Sequence, residues 1–444
     1  MTKTRPGTPV PGNLPLLGHV LRLARDPAGF LASLPAHGDL VQVRLGPVRA
    51  WAVCDPELLH RVLSDVAAFE KGGVIYDRTR REAGNGIITC RNSEHPAQRE
   101  LIWPTFRRAH LPVHAAVMND QINRSIAPWH DGQVLDLVPE AASIGARATA
   151  RALFPGLREQ ELQQLTRSFD DFLTGLLRRM TWPSALPGRL PGPGDRRYRR
   201  ARTHIRRTVS ALVAAPDAGG PDDLIPTLLA ARNPSGHPLT PDEIHDQVFN
   251  LLIAGVDTTA STLAWALYLV ATHPETQRQL HDEVDTVLGG RPVRYEDLDR
   301  LDTVQRVLTE TLRLYPSAWM FTRTTVAATE LAGVRLPAGA TLVCSPYLMH
   351  RRADLYPDPE RFDPGRWLDR RTTDLPRGGY VPFGAGTRTC IGRFFGMTGA
   401  SLALAAVAAR WHLTPAGTAP VRPLPRATMS ARSMPVRLRA RKLL

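Results

Sequence analysis

One cysteine in this chain stands in a setting that suits metal binding. Cys390 follows the glycine-rich run FGAGTRT at positions 383–389 and precedes an apolar helix predicted from about Ile391 through Trp411. The amide groups at a helix start favour negative charge, and they therefore favour the thiolate that binds metals. A dinucleotide-binding loop would need a third glycine where Thr389 stands. The run predicts an axial metal ligand, with a buried cysteine at a helix cap as the alternative.

A second pattern lies in the middle of a long apolar helix predicted from Asp242 to Ala271. This is the run AGVDTT at positions 254–259, in which a glycine lowers helix stability. The hydroxyl of Thr258 can hydrogen bond back to the Ala254 carbonyl and loosen the helix locally. On its residues alone, this run fits a kinked core helix that carries one solvated acid.

A third pattern is a charged pair at helical spacing. Glu310 and Arg313 lie three residues apart, which places them on one face of a predicted helix. Such a pair at the surface contributes only a few tenths of a kcal/mol, roughly, and it is common by chance. The pair alone therefore supports no function.

The elements that must carry these residues are mostly helical. Apolar residues recur at spacings of three and four residues along most of the chain, and this spacing predicts helices. Strands are predicted at 39–45 and 48–53, joined by a turn at Gly46-Pro47, and again at 323–325 and 340–344. Loops are predicted at 183–194 and 217–222, and a strand-like tail follows the last helix. The predicted helices, besides the two above, are 26–34, 57–63, 97–106, 166–177 and 201–214.

The ten residues 383–392 resemble the haem-binding signature of the cytochrome P-450 monooxygenases, and the resemblance extends over nearly the whole chain. It implies haem b with the Cys390 thiolate as the axial iron ligand, a thiolate that favours O–O cleavage. It also implies that Phe383 packs near the sulfur and that Arg388 pairs with a haem propionate. The implied fold is mainly α with a minor β-sheet region, with haem between the long central helix and the cysteine-loop helix.

The same resemblance gives roles to the other two patterns. Asp257 and Thr258 match the family's acid-alcohol pair, which delivers protons during O2 activation, and the neighbouring glycine would make room for O2. Glu310 and Arg313 resemble two members of a buried Glu-Arg-Arg network. The run PERF at positions 359–362 then makes Arg361 the third member. Such a network would hold the core and perform no chemistry.

The propionate contacts implied by the family require a choice between two pairs. His95 and Arg99 stand in the right relation to the turn Pro104-Thr105-Phe106, whereas Trp103 and Arg107 have the spacing without that relation. We therefore assign the contacts to His95 and Arg99. Arg323, seven residues after Pro316, resembles a further propionate arginine, and a surface arginine is the alternative.

The candidate substrate pocket is apolar. By the family's layout, Ala254, Trp319, Met320 and Phe321 line it, although they could equally be ordinary core. The segments PLLGH, FEKGG, GNGIITC and IHDQVFNLLIAG resemble those of bacterial sesquiterpene oxidases, which implies oxidation of a methyl group of pentalenene to an alcohol and aldehyde in antibiotic biosynthesis. The alternatives are another terpene, a fatty acid or a macrolide as substrate. A peroxide-using enzyme and a non-catalytic haem-binding protein also remain open, and the intact Asp257-Thr258 pair argues against both.

Composition bounds the remaining possibilities. The formal charge is +14, but only three of the 56 basic residues are lysines, so 53 are arginines. This bias and the absence of a basic stripe disfavour nucleic-acid binding. The proline-broken N-terminus disfavours a signal peptide and a membrane anchor, and residues 248–272 fit a buried helix better than a membrane span, so we expect a cytoplasmic protein. We expect one haem domain over residues 1–444, with a proline-rich leader at 1–20. No flavin or nicotinamide motif is present, so electrons are expected from a ferredoxin and a ferredoxin reductase.

Overall fold

The computed structural model describes residues 10–181, 193–214, 223–233, 235–369, 372–417 and 419–441. The fold is mostly helical, at 56%, with small β-sheets, which confirms the predicted class. The chain divides into two compact units. Unit 1 comprises Met1–Tyr76 and Thr309–Cys390, and unit 2 comprises Asp77–Leu308 and Ile391–Leu444. The single domain expected over the whole chain stays a prediction.

The helices of the described residues follow in chain order. They are α1 (Val20–Arg25), α2 (Pro27–Ser33), α3 (Pro56–Ser64), α4 (Val74–Ala83), α5 (His95–Ile102), α6 (Leu111–Ile126), α7 (Leu137–Leu153), α8 (Glu159–Thr181), α9 (Pro193–Ala214), α10 (Leu224–Ala230), α11 (Pro241–Thr272), α12 (Pro274–Leu288), α13 (Asp302–Leu314), α14 (Pro346–Met349) and α15 (Arg393–Arg410).

The strands form four small sheets. In the described residues they are β1 (Leu40–Leu45), β2 (Val48–Val53), β3 (Phe69–Glu70), β4 (Val134–Asp136), β5 (Phe321–Thr325), β6 (Thr329–Leu331), β7 (Val334–Leu336), β8 (Thr341–Cys344), β9 (Trp411–Pro415), β10 (Pro423–Pro425), β11 (Met429–Ala431) and β12 (Pro435–Ala440). Unit 1 contains a five-stranded sheet with the order β1-β2-β8-β5-β3 and the pair β6-β7. Unit 2 contains a three-stranded sheet with the order β4-β12-β9 and the pair β10-β11.

The predicted hairpin at the start of the chain is confirmed. Strands β1 and β2 pair antiparallel, with Leu45 opposite Val48, and Gly46 turns the chain at a φ of +64°. A residue with a side chain adopts that conformation only at a cost. Helix α3 follows β2 directly, and the Asp55 carboxylate caps it by accepting from the Leu58 amide at 3.0 Å. Local patterns therefore fix this part of unit 1.

The long helix α11 organises unit 2. Thr240 and Glu243 form a capping box at its start, with Pro241 at the first position. Helix α7 approaches it closely: a Cβ built on Gly145 would lie 3.2 Å from the Ala260 amide nitrogen, and one on Gly255 would lie 2.8 Å from Thr149 Cγ2. The helix is long and apolar enough to cross a membrane by length and composition, but 61% of its most apolar window is buried inside the protein.

Some predicted boundaries were wrong. Pro193 and Gly194 begin α9 and do not belong to a loop, because proline is favoured in the first turn of a helix. The rest of the predicted loop at 183–194, and the loop at 217–222, lie outside the described residues. At the other end of unit 2, α15 ends at Arg410, and Trp411 opens β9.

Candidate functional site

The run before Cys390 folds into a closed turn. The Cys390 amide donates to the Phe383 carbonyl at 2.9 Å, and the Thr389 amide donates to the Gly386 carbonyl at 3.1 Å. Gly384 and Gly386 have φ angles of +71° and +68°, and a Cβ on Gly386 would lie 2.6 Å from a neighbouring carbonyl oxygen. Glycine is therefore required at Gly386 both by backbone conformation and by space.

Cys390 differs from the other cysteines in its surroundings. Its residue is exposed, whereas Cys54, Cys90 and Cys344 are buried. Burial raises the pKa of the Cys54 and Cys344 thiols to about 12, so both stay protonated at neutral pH. A protonated thiol is a poor metal ligand, so Cys54 and Cys344 are packing residues. Cys90 is buried as well, and Cys390, as the exposed cysteine, is the candidate ligand.

Two buried arginines of unit 1 provide positive charge beside a phenol. The Arg323 residue is 7% exposed, and the Arg388 side chain is 4% exposed. Burial raises the pKa of Tyr76, against the opposing effect of the two guanidinium groups, so Tyr76 remains a neutral phenol. The Glu70 carboxylate lies 3.8 Å from Arg388, and Arg323 has no ion-pair partner among the described residues.

These arginines fit the carboxylates of a haem. A buried guanidinium without a counter-charge is costly, and an ionised carboxylate is the group that matches its fork of donors. Arg323 donates to the Thr322 carbonyl at 3.0 Å and lies over the Phe321 ring at 5.1 Å, which fixes its direction. The donor set of unit 1 is therefore compatible with haem propionates.

The two candidate pairs near α5 differ in burial. His95 is 4% exposed, and Arg99 follows it by one helical turn and is partly buried over the Trp103 ring, at 5.7 Å. Trp103 itself is 44% exposed, and Arg107 is exposed. The preferred pair thus lies against the protein, and the rejected pair faces solvent.

The acid-alcohol pair lies in an unbroken stretch of α11. The Thr258 hydroxyl donates to the Ala254 carbonyl at 2.6 Å, which confirms the expected back-bond. Asp257 and Thr258 are both partly buried. The contact of Gly255 with Thr149 gives this glycine a packing reason that the sequence did not reveal.

Glu310 and Arg313 form a buried, fully hydrogen-bonded pair. Both side chains are 0% exposed, and two guanidinium nitrogens of Arg313 donate to the two Glu310 oxygens at 2.8 Å each. The remaining donors reach the carbonyls of His350, Pro359 and Arg361. All five guanidinium donors are therefore satisfied, as a buried charge requires.

The third arginine of this network is Arg366, so the assignment of the Arg361 side chain was wrong. Arg366 Nε lies 3.4 Å from Glu310 Oε1, its side chain is 8% exposed, and the adjacent Trp367 indole donates to Glu310 Oε2 at 3.0 Å. Arg361 is exposed and contributes its main-chain carbonyl. The signal was present in the sequence, because Pro-x-Arg-aromatic occurs twice, at 359–362 and at 364–367.

His350 connects this network to the cysteine turn, and no sequence pattern predicted this contact. Its carbonyl accepts from Arg313, and its ring Nε2 accepts from the Val381 amide at 2.9 Å, two residues before Phe383. Burial, helped by nearby Arg313 and Arg351, lowers the pKa of His350 to about 3. The ring is therefore neutral at physiological pH, which keeps Nε2 an acceptor.

The candidate pocket residues are not buried completely. Trp319, Met320 and Phe321 are partly buried and pack against the apolar core of unit 1. The Trp319 carbonyl accepts from the Ser345 hydroxyl at 2.8 Å, which holds this segment in place. Ala254 on α11 is also partly buried. Each of these side chains thus keeps some surface that is not covered by the protein.

Comparisons with known proteins give the family of this chain. The family described as Cytochrome P450 matches residues 8–437. Pentalenene oxygenase of Streptomyces avermitilis is 43% identical over 97% of each chain. Two proteins of Streptomyces melanosporofaciens are each 42% identical: cyclooctatin synthase, over 96% of this chain and 94% of its own, and cyclooctat-9-en-7-ol 5-monooxygenase, over 91% and 89%.

Proposed function

This chain belongs to the cytochrome P450 family of haem-thiolate monooxygenases, and from that premise we propose that it oxidises a terpene hydrocarbon, with pentalenene as the first substrate to test. The observation that supports the substrate class is the identity of 43% with pentalenene oxygenase over almost the full length of both chains. The partly uncovered Trp319, Met320 and Phe321 supply the apolar surface that such a substrate needs.

The chain's own residues would hold haem b in defined ways. Cys390 would provide the thiolate ligand, and Arg323, Arg388, His95 and Arg99 would bind the two propionates. Phe383, whose carbonyl accepts from the Cys390 amide, would shield the sulfur from water. When bound, haem supplies the O2 activation and oxygen-transfer chemistry. We further propose that units 1 and 2 form one cytoplasmic haem domain.

Asp257 and Thr258 would move the protons that O2 activation consumes. Thr258 donates to the Ala254 carbonyl, which leaves the hydroxyl oxygen as an acceptor for a proton donor. Asp257, partly buried beside it, can exchange protons with solvent and pass them on. These roles belong to the same helix turn, so the pair is preorganised by α11.

Replacing Thr258 with alanine should uncouple electron use from product formation. We expect peroxide release to rise and product per electron to fall by about tenfold or more, because a positioned proton donor contributes roughly 10²–10⁴-fold to rate. The measurement is product and peroxide per reductant consumed. As a control, Thr272→Ala removes another hydroxyl that bonds back within α11, to Tyr268 and Leu269. Unchanged coupling in Thr258→Ala would contradict the proposed role.

A ferredoxin is the proposed electron donor, and unit 2 carries a basic surface that suits it. Arg108 and Arg393 lie over the ring of exposed Phe394, at 4.0 Å and 5.6 Å. Both arginines are exposed. Acidic partners are steered by such patches, so docking should weaken as salt rises.

Arg393→Glu should slow reduction by ferredoxin about tenfold at low salt, and the difference from wild type should shrink at high salt. The measurement is the rate of haem reduction against ferredoxin concentration. Arg300→Glu, at another exposed position, is the matched control. A rate that is indifferent both to salt and to Arg393→Glu would argue against this surface.

The experiment that tests the substrate uses purified haem-loaded protein with a surrogate ferredoxin and reductase. Pentalenene, other terpenes, a fatty acid and a macrolide are compared by binding spectra and by the mass of products. We expect pentalenene or a related terpene to bind and to yield alcohol and then aldehyde. A spectral shift with the macrolide and with no other compound would contradict the proposal that the substrate is a terpene.

A further inference from the structure

Five apolar side chains of unit 1 are exposed within eight residues of the chain. Leu16 is 88% exposed, and the other four are between 36% and 47% exposed. Single apolar side chains in solvent are normal for a folded protein, whereas several of them together mark an interaction site. We call this group the 14–21 surface. Its members are Leu14, Leu16, Leu17, Val20 and Leu21.

The turn that carries Leu16 is closed and strained. The Leu14 amide donates to the Gly18 carbonyl at 3.1 Å, and the Gly18 amide donates to the Leu14 carbonyl at 2.8 Å. Leu16, between them, has a φ of +61°, a conformation that a residue with a Cβ adopts only at a cost. An exposed leucine in this conformation helps neither the core nor the backbone. The combination indicates a role outside the folded monomer.

The β1–β2 hairpin holds this turn in place. The Gly46 amide donates to the Leu17 carbonyl at 3.2 Å, and the His19 amide donates to the Arg44 carbonyl at 2.6 Å. The buried His19 ring accepts from the Arg44 amide at 3.0 Å. A Cβ on Gly18 would collide with the Arg44 carbonyl, so the turn and the hairpin are in direct contact. The leucines therefore lie on a fixed base.

Arginines without a counter-charge accompany the 14–21 surface. Arg44 and Arg49 are opposite each other in the antiparallel pair of β1 and β2, and both are exposed. Like charges directly across two strands repel each other and lower stability. Neither guanidinium has an ion-pair partner among the described residues, and the same is true of the exposed Arg22 and Arg25 on α1. An anionic partner would relieve this repulsion.

The carboxylates of the same region are already engaged. Residues 10–53 contain two, Asp26 and Asp39. Asp26 caps α2 by accepting from the Gly29 amide at 2.9 Å, and Asp39, partly buried, helps to raise the pKa of Arg352. The 14–21 surface is thus apolar and is flanked by positive charge. This combination complements an anionic lipid bilayer and repels a second copy of itself.

We propose that the 14–21 surface docks reversibly on an anionic lipid bilayer, with Leu16 inserted at the acyl boundary and Arg44 and Arg49 against the lipid phosphates. Inserted apolar side chains and basic side chains near the headgroups are the two contributions that hold peripheral proteins on membranes. The protein would lie on the membrane without spanning it, as a cytoplasmic protein can. The docking does not depend on the proposed function, although a terpene hydrocarbon partitions into the same bilayer.

The test measures how the haem-loaded protein, without substrate, partitions onto sedimented vesicles. Vesicles of phosphatidylglycerol and phosphatidylcholine in equal amounts are compared with vesicles of phosphatidylcholine alone. We expect the mixed vesicles to bind the protein about tenfold more strongly at low salt, and the difference to shrink as salt rises. Equal binding to the two compositions, or binding to neither, would overturn the proposal.

Two substitutions separate docking from folding. Leu16→Asn introduces a residue that tolerates a positive φ, and Arg44→Glu replaces repulsion from Arg49 by attraction. We therefore expect both variants to unfold at the wild-type temperature or above it. Their binding to the mixed vesicles should nevertheless fall about fivefold or more, because each loses a contribution to docking. A purely structural role would move stability and binding together.

The matched controls are Leu368→Asn and Arg300→Glu, at exposed positions that do not belong to the 14–21 surface. Both should bind the vesicles as the wild-type protein does. Equal loss of binding in these controls, or unchanged binding in Leu16→Asn and Arg44→Glu, would refute the docking surface. A wild-type dimer that Leu16→Asn dissociates would also refute it, since the surface would then meet a second copy of the chain. No terpene is present, so a negative result leaves the proposed substrate untouched.

Discussion

Cys390→Ala should abolish the long-wavelength absorption band of the reduced CO complex and bring monooxygenase turnover to background. A methyl group cannot ligate iron, and the glycine-constrained turn brings this thiol to the surface of unit 1 by a hydrogen bond between the Cys390 amide and the Phe383 carbonyl. The measurement is the absorption spectrum of the purified, reduced, CO-saturated protein, together with product formed in the presence of a ferredoxin and its reductase.

The matched control is Cys344→Ala. This thiol is buried, and its pKa is raised to about 12, so it remains a protonated packing group. Its removal should lower the free energy of unfolding by about 1 kcal/mol and leave the band in place. If Cys390→Ala keeps the long-wavelength band of the wild-type protein, Cys390 is not the iron ligand. If Cys344→Ala loses the band, the spectrum reports loss of the folded structure and not loss of the ligand.

Local patterns predicted the parts of the fold that local forces decide. The β1–β2 hairpin follows from alternating apolar residues and Gly46, and α11 follows from a long apolar repeat that begins at a capping box. The back-bond from Thr258 to Ala254 is equally local, because it spans four residues of one helix. Each of these features depends on neighbours in sequence, which a sequence displays directly.

The features that the sequence did not predict depend on distant neighbours. Arg361 and Arg366 both follow a proline by two residues and precede an aromatic one, and the chain path around Glu310 decides between them. His350 is neutral and bonded to Val381 because unit 1 closes around it. Gly255 packs against Thr149 on α7, where an added Cβ would come within 2.8 Å of Thr149 Cγ2. Packing of this kind is a property of the folded chain, and spacing rules do not contain it.

Glu310→Gln should destabilise the protein by about 3–5 kcal/mol, which is a large part of the stability of a folded protein. The variant keeps the size of the side chain but removes the charge that compensates Arg313 and Arg366, and both guanidinium groups are buried. It also turns one acceptor oxygen into a donor group facing the Asp363 amide or the Trp367 indole. The measurement is urea unfolding, followed by haem absorption and by circular dichroism.

The two arginines that compete for the third place in this network give the sharpest control. Arg366→Met should be clearly destabilising, since it removes an ion-pair partner whose side chain is 8% exposed, whereas Arg361→Met should change stability by no more than about 0.5 kcal/mol. The reason is that Arg361 acts through its main-chain carbonyl, which the substitution preserves. Equal losses in the two variants would contradict the assignment of Arg366, and a fully stable Glu310→Gln would show that the pair does not hold unit 1 together.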